Sequence, residues 1–370
     1  MFRYQSYHLI LLSLALLLMS CEEDPLPNPV DTIDLESIAF NPQEFDLRIP
    51  AGFPSMDIPA DNLMTVEGVE LGRHLFYDPI LSIDSTQSCS TCHQLQANFT
   101  DNLAVSPGVD GVSGTRSSMS LLNVGFYDTG LFWDGRVITL EEQALLPVED
   151  PIELNDSWPN VENKLRRSEF YPIMFREAFG ISDISEITRD LATRALAQFE
   201  RSLISSGNSK YDRVIAGDAV FTDQELDGHD IFFDENPDQS LHAECGHCHN
   251  APLFTTNEYF NNGIDAVNSL SDFVDAGRGE VTQTPFDNGA FRVPTLRNIE
   301  FTAPFMHDGR FETLDEVIDH YVSGGNRADN LGAVLRPLQL SDQNREALKA
   351  FILTLQDDDF LNNPAFSSPF

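Results

Sequence analysis

The chain has 370 residues, 59 Asp or Glu against 22 Lys or Arg, and a formal net charge of −37. So acidic a surface repels nucleic acid and anionic lipid headgroups, and it suits a basic partner. Hydrophobic residues make up 41% of the chain, enough to build real cores over a length that suits about two domains.

The N-terminus reads as a targeting segment. Arg3 supplies a short positive region, and Leu9 to Met19 is an almost unbroken apolar run. That run is too short to span a membrane comfortably and right for the core of a signal peptide. Leu18-Met19-Ser20-Cys21 resembles the bacterial lipobox, in which the Cys is lipidated and becomes the first mature residue. An ordinary signal peptide with an incidental Cys is the alternative, but the apolar run stops at Cys21 and no partner Cys is left for it. Residues 1–20 are therefore expected to be a lipoprotein signal peptide. The mature protein is expected in the bacterial envelope, on the periplasmic side of a membrane or at the cell surface. Residues 21–45 are rich in Pro, Asp and Glu without periodicity and read as a tether.

Residues 66–76 have the pattern of a helix leading to Cys89-Ser90-Thr91-Cys92-His93. The outline returns as Cys245-Gly246-His247-Cys248-His249. Two Cys separated by two residues and followed at once by His form the attachment signature of c-type haem. The thiols add across two vinyl groups of one porphyrin, and the next residue then lies where its imidazole binds iron. Cys89, Cys92, Cys245 and Cys248 are the expected attachment points, and His93 and His249 the proximal ligands. A lone C-x-x-C also fits a redox dithiol or half a zinc site. The immediate His in both copies argues against those readings, and no further Cys pair exists to complete a Cys-only tetrahedron.

After His93 comes a polar, Gly-rich loop through Gly114. Thr139-Leu140-Glu141-Glu142 is a capping box that opens a short helix. Apolar spacing predicts the longest helix over 186–204, ended by Gly207-Asn208-Ser209. Further helices are expected from Thr222, from Thr313 to about 322, and from Ser341 to about Leu355. Residues 255–290 read as a long loop, and no strand run stands out. The expected fold is mainly α with long loops, made of two cytochrome c-like haem domains at 46–208 and 209–370.

An internal repeat supports duplication. Phe132-Trp133-Asp134-Gly135-Arg136 followed by Thr139-Leu140-Glu141-Glu142 matches Met306-His307-Asp308-Gly309-Arg310 followed by Thr313-Leu314-Asp315-Glu316. Upstream, Leu121-Leu122-Asn123 matches Leu296-Arg297-Asn298. Thirteen residues beyond Asp308 lies Tyr321, and thirteen beyond Asp134 lies Pro147. A phenol can bind ferric haem iron, whereas Pro has no side-chain donor. If this position faces the distal side, the second iron is capped and suits electron relay, and the first is open. Glu153, six residues beyond Pro147, is then a candidate acid–base. Taken without context, Glu153 and Gln143 read as surface residues and Trp133 as core.

The chain resembles the bacterial di-haem cytochrome c peroxidase and MauG family over nearly all of residues 65–356. The matching stretches are Leu71-Gly72-Arg73-His74-Leu75-Phe76-Tyr77-Asp78-Pro79, both haem motifs and Phe132-Trp133-Asp134-Gly135-Arg136. They continue with Glu141-Glu142-Gln143, Asp150-Pro151-Ile152-Glu153, Phe199-Glu200-Arg201-Ser202-Leu203 and Thr302-Ala303-Pro304-Phe305-Met306-His307-Asp308-Gly309-Arg310. The resemblance implies that Glu153 is the distal acid–base, Gln143 its companion and Trp133 the tryptophan between the haems. It also implies an inter-haem Ca²⁺ held by the Asn123 side chain and the carbonyls of Thr302 and Pro304. Oxygen donors of this kind suit that ion.

Two departures from the peroxidase pattern stand out. Classical members use Met as the distal ligand of the second haem, where Tyr321 stands here, the MauG-type choice; Met306 is the competing ligand. Classical members also often carry a His that blocks the first iron, and this chain has no His between His93 and His229. The implied function is reduction of hydrogen peroxide to water at an open first haem, with electrons from a small cytochrome c or cupredoxin through the second. The alternatives are a MauG-like oxidase of protein side chains and, in a different class, a non-catalytic electron-transfer cytochrome.

Overall fold

Thr65, Thr139, Thr188, Thr222 and Thr313 each stand one residue ahead of a helix, and each hydroxyl accepts the backbone N–H three residues on. A threonine in extended conformation at this position satisfies a donor the helix leaves unpaired, so these residues set where the helices start. The protein is described here by a computed structural model covering residues 33–370. The signal segment, Cys21 and the first part of the tether lie outside the described residues.

In chain order the helices are α1 (Val66–Tyr77), α2 (Cys89–Cys92), α3 (Leu140–Glu149), α4 (Trp158–Arg167), α5 (Tyr171–Phe179), α6 (Arg189–Ser202) and α7 (Lys210–Ala216). They continue with α8 (Asp223–Phe232), α9 (Cys245–Cys248), α10 (Arg278–Thr282), α11 (Leu314–Ser323), α12 (Asp342–Leu353) and α13 (Asp358–Leu361). The fold is mainly α, as expected. Residues 255–290 are not wholly loop. They hold α10 and the two-residue strand β1 (Tyr259–Phe260), which pairs antiparallel with β2 (Phe291–Arg292). So short a pairing leaves no alternating run for a sequence to display. The longest described helix, α6, stops at Ser202, before Gly207. There the chain turns away because the Ser205 amide donates to the Asn123 side chain at 2.9 Å.

Two helix pairs build two cores. α1 packs on α6, and α8 on α12. A Cβ on Gly72 would collide with the Ala195 carbonyl, and one on Gly228 with the Ala347 carbonyl, so glycine sets the close approach in both pairs. One turn further on, Phe76 meets Phe199 at 5.2 Å between ring centroids and Phe232 meets Phe351 at 5.1 Å. All four rings are fully buried. Each such side chain contributes roughly 1.5–3 kcal/mol of burial. Gly72 precedes Cys89 by seventeen residues, and Gly228 precedes Cys245 by the same number. The first helix of each pair therefore leads to its C-x-x-C turn over the same length of chain from the contact glycine.

After α12 the chain returns to the first core. Phe360 and Phe366 are buried among its residues, and Arg73 Nε donates to the Ser367 carbonyl at 2.8 Å. The stretch after about 357, which an even division at 209 assigns to the second half, packs on the first. Buried Asp357 fastens the junction by accepting from the hydroxyls of Ser205 and Ser206, both at 2.6 Å.

Candidate active site

α2 and α9 are single helical turns that carry Cys89, Cys92, Cys245 and Cys248 at their ends, none of them in a disulfide. Burial raises all four thiols, Cys92 and Cys248 to about 11 and Cys245 to about 12. Redox dithiols need the opposite shift, toward the thiolate. Among the described residues, no cluster of three potential metal ligands includes either Cys pair. Both facts disfavour the redox and zinc readings.

The imidazoles after the turns are oriented alike. His93 Nδ1 donates to the Phe99 carbonyl at 2.8 Å and His249 Nδ1 to the Phe254 carbonyl at 3.2 Å. Both phenylalanines hold positive φ, which turns their carbonyls onto the ring nitrogens. This bond puts the proton on Nδ1 and leaves the Nε2 lone pair free for iron. Burial lowers both imidazoles, His249 to about 4, and so keeps them neutral, the form able to bind iron.

Each motif opens on a cavity. The first, of about 680 Å³, is lined by Cys89, Cys92 and His93 together with Gln143, Pro147 and Glu153. The second, of about 420 Å³, is lined by Cys245, Cys248 and His249 together with Met306 and Tyr321. Both fall in the range of roughly 300–1,000 Å³ typical of sites for small organic groups. Paired thiols, a free imidazole nitrogen and a mostly apolar wall fit a covalently held haem in each.

The distal walls differ at matching places. Pro147 is the eighth residue of α3 and Tyr321 the eighth of α11, and each lines its own cavity. The fourth residues are Gln143 and Val317, also on the walls. Position four is therefore polar in the first cavity and apolar in the second, while position eight lacks a side-chain donor in the first and carries a phenol in the second. Burial and the neighbouring Asp150 raise Glu153 to about 7, against the opposing pull of Arg136. Burial raises the Tyr321 phenol to about 12, while a hydrogen bond with Asn262 opposes it. The same Asn262 donates from Nδ2 to Met306 Sδ at 3.4 Å. Met306, at φ 76°, forms the turn that also holds Gly309 at φ 65°; Phe132 and Gly135 form the matching turn in the first half.

Trp133 lines both cavities, and its Nε1 donates to the Ser117 carbonyl at 2.9 Å. Thr302 and Pro304 line the second cavity. Asn123 lines neither. Its side-chain oxygen is taken by the Ser205 amide and its Nδ2 has no partner, as a buried cap at the junction of the halves. The three residues expected around Ca²⁺ are thus not gathered on one cavity wall. His307 is buried on the second wall, stacked on Phe291 at 3.6 Å. Three wall residues receive no role from the sequence: Arg136, which acts on Glu153, and Glu200, a buried carboxyl, although both lie in matching stretches, and Tyr127, shared by both cavities. The signal for Glu200 is its place four residues after Leu196, on the apolar stripe of α6.

A family model for the di-haem cytochrome c peroxidases matches residues 66–220. The methylamine utilization protein MauG of Methylorubrum extorquens is 35% identical over 82% of this chain and 82% of its own. The cytochrome c551 peroxidase of Nitrosomonas europaea is 32% identical over 86% and 87%. The crystal structure of a MauG-like protein associated with microbial copper homeostasis superposes with a TM-score of 0.81 at 32% identity, covering 88% of this chain and 99% of that one. With two C-x-x-C-H turns set on matching cores and these likenesses along most of its length, the chain belongs to the MauG and di-haem cytochrome c peroxidase family, and its two cavities fit the two haems.

Proposed function

We propose that the protein reduces hydrogen peroxide to water in the first cavity, with electrons delivered through the second. The observation that carries this reading is the asymmetry of the two walls. Glu153 and Gln143 share the His93 cavity with a donorless Pro147, whereas Tyr321 stands at the matching place beside His249. The overall change is H₂O₂ + 2H⁺ + 2e⁻ → 2H₂O. A haem held by Cys89, Cys92 and His93 would supply an iron able to take up peroxide and to store oxidising equivalents. Glu153 accepts the proton of the inner peroxide oxygen and returns it to the outer one, so that the O–O bond breaks heterolytically and water leaves. Arg136 favours the carboxylate needed for the first transfer. The Gln143 amide offers a neutral hydrogen-bonding partner to peroxide or to Glu153. Trp133, on both walls as Tyr127 is, is the proposed electron route between donor and acceptor sites. A small basic cytochrome c or a cupredoxin is the proposed donor.

The second reading is a MauG-like oxidase that removes electrons from side chains of a partner protein. Tyr321 and the 35% identity to a MauG protein favour it. Stopped-flow mixing with peroxide, with and without reduced cytochrome c, separates the two. Repeated turnover with stoichiometric cytochrome oxidation supports the peroxidase. A long-lived oxidised state that reduced donors do not discharge supports the oxidase. No spectral response to peroxide would sink both and leave a pure electron-transfer protein.

Three further parts belong to the proposal. Residues 46–208 and 209–370 are read as copies of one haem-binding domain. Support comes from the matched glycines Gly72 and Gly228, the matched turns and the matched wall helices. Calcium rests on the carbonyls of Thr302 and Pro304; the Asn123 oxygen is already engaged, and no step is assigned to the ion. Residues 1–20 are read as a lipoprotein signal and Cys21 as the anchor on the periplasmic side of a membrane or at the cell surface. Cys21→Ser is then expected to abolish lipid labelling and move the protein to the soluble fraction. Unchanged membrane retention would count against the anchor.

A further inference from the structure

Glu200 is a carboxyl that no step above uses. It belongs to the face of α6 that carries Leu196 and Leu203 into the core. Only 5% of it is exposed, and Oε2 has no hydrogen-bond partner. The side chain lines the first cavity, close enough to Cys89 for its charge to raise that thiol. A buried carboxylate without partners is costly, so a group in this position responds strongly to whatever charge lies beside it.

The charges around it are few. Arg201, on the same helix, is committed to Glu141 of α3 through a 2.8 Å ion pair. Glu141 itself is the nearest other acid. α1, packed on α6, presents Gly68, Gly72 and apolar side chains to it. Cys89 of α2 becomes an uncharged thioether once haem is attached. Across the cavity, Glu153, Asp150 and Arg136 form a separate group. Arg201 lowers Glu200 and Glu141 raises it, Arg201 being the stronger of the two. Both charges are fixed by their ion pair, so the charge that changes with redox state is that of the group filling the cavity.

We propose that Glu200 is the redox-linked proton site of the first haem. When one electron enters ferric iron, one proton from solvent binds the Glu200 carboxylate; on reoxidation both leave. The driving force is electrostatic. Reduction removes one positive charge from the cavity, and the carboxylate then loses the counter-charge that offset its burial. Burial, with Glu141 adding to it and Arg201 opposing, raises Glu200 to about 8 without a charge in the cavity, so gain or loss of that counter-charge moves it through the neutral range. The inference requires a haem in this cavity and stands whether peroxide or a protein side chain is the substrate.

The test is a spectroscopically resolved potentiometric titration of the holoprotein at several pH values. In the wild type, the midpoint potential of the His93 haem should fall with rising pH around neutrality, toward a limiting slope of one proton per electron. Glu200→Gln, nearly isosteric, should flatten that dependence while leaving the His249 haem as it was. Glu200→Leu should do the same, with two haems still attached. In the redox difference infrared spectrum, a protonated-carboxyl band should appear on reduction and be missing from Glu200→Gln. A pH-independent wild-type potential would overturn the proposal. So would a dependence that survives in both variants, which would place the proton elsewhere, on the haem propionates for example.

Discussion

Glu153 is held between opposing influences: burial and Asp150 favour its neutral form, and Arg136 its carboxylate. The balance near 7 suits a group that must accept and return a proton. A base acts only when unprotonated, so the rate constant for peroxide should rise as pH increases through about 7. Glu153→Gln should slow that step by about 10²–10⁴-fold and lose the inflection while keeping both haems. Wild-type kinetics in this variant would remove Glu153 from the mechanism. The second cavity poses a choice between two residues that share Asn262, Tyr321 through its phenol and Met306 through Sδ. Tyr321→Phe keeps the ring and removes the donor, so with Tyr321 as the ligand it should open the distal side of the second haem. Met306→Leu should not. EPR and resonance Raman spectra of the two variants decide: if Met306→Leu alone alters the six-coordinate signal, Met306 is the ligand and the MauG-type comparison fails.

The helix pairs depend on two missing side chains. At Gly72 and Gly228 a Cβ meets a backbone carbonyl, which cannot rotate away as a side chain can. Gly72→Ala and Gly228→Ala should each cost about 1–3 kcal/mol through separation of the helices. A lowered Tm of the haem-loaded protein, with the visible spectrum disturbed at the haem of the affected half, checks this. An unchanged Tm would show that the pairs are looser than their packing implies. Much at this scale was legible beforehand. The caps at Thr139, Thr222 and Thr313 and the place of Pro147 matching Tyr321 follow from local rules, because capping is decided within four residues and helical position by counting. The caps at Thr65 and Thr188 were not picked out. α4 and α5 were missed. Each has a Pro at its second position, Pro159 and Pro172, and Pro is a helix starter there but reads as a breaker in a bare sequence. The cavities could be inferred only in outline. The repeat raised Glu153 only as one carboxylate among many, and the resemblance singled out Glu153, Gln143 and Trp133, since a carboxyl's burial depends on chain far away. Glu200 went unnoticed as a functional residue although its place on an apolar stripe was in plain view. The return of Phe360 and Phe366 to the first core was not legible at all, because two aromatics near a chain end carry no address.

At the scale of the whole molecule, the charge of −37 becomes a statement about partners. Acidic residues gather where the second haem motif meets the surface: Asp234 and Glu244 lie within 3.5 Å of exposed His247, and Glu244 also holds Arg336 at 3.0 Å. Glu244 and His247 line the second cavity too, so this surface is next to the proposed port of electron entry. A negative field of this kind speeds the approach of a basic donor and slows an acidic one. Salt shortens the reach of the field to about 8 Å at physiological ionic strength, which weakens steering before it weakens close contacts. The rate of electron transfer from a basic cytochrome c should therefore fall as salt rises, and that from an acidic cytochrome or cupredoxin should increase. Charge reversal at the port, through Asp234→Lys with Glu244→Lys, should reduce the salt dependence with the basic donor. It should leave peroxide binding at the first cavity as it was, because neither residue lines that cavity. A basic donor whose rate ignores both salt and these substitutions does not enter by this surface, and the path through the His249 haem would then have to begin elsewhere on the molecule.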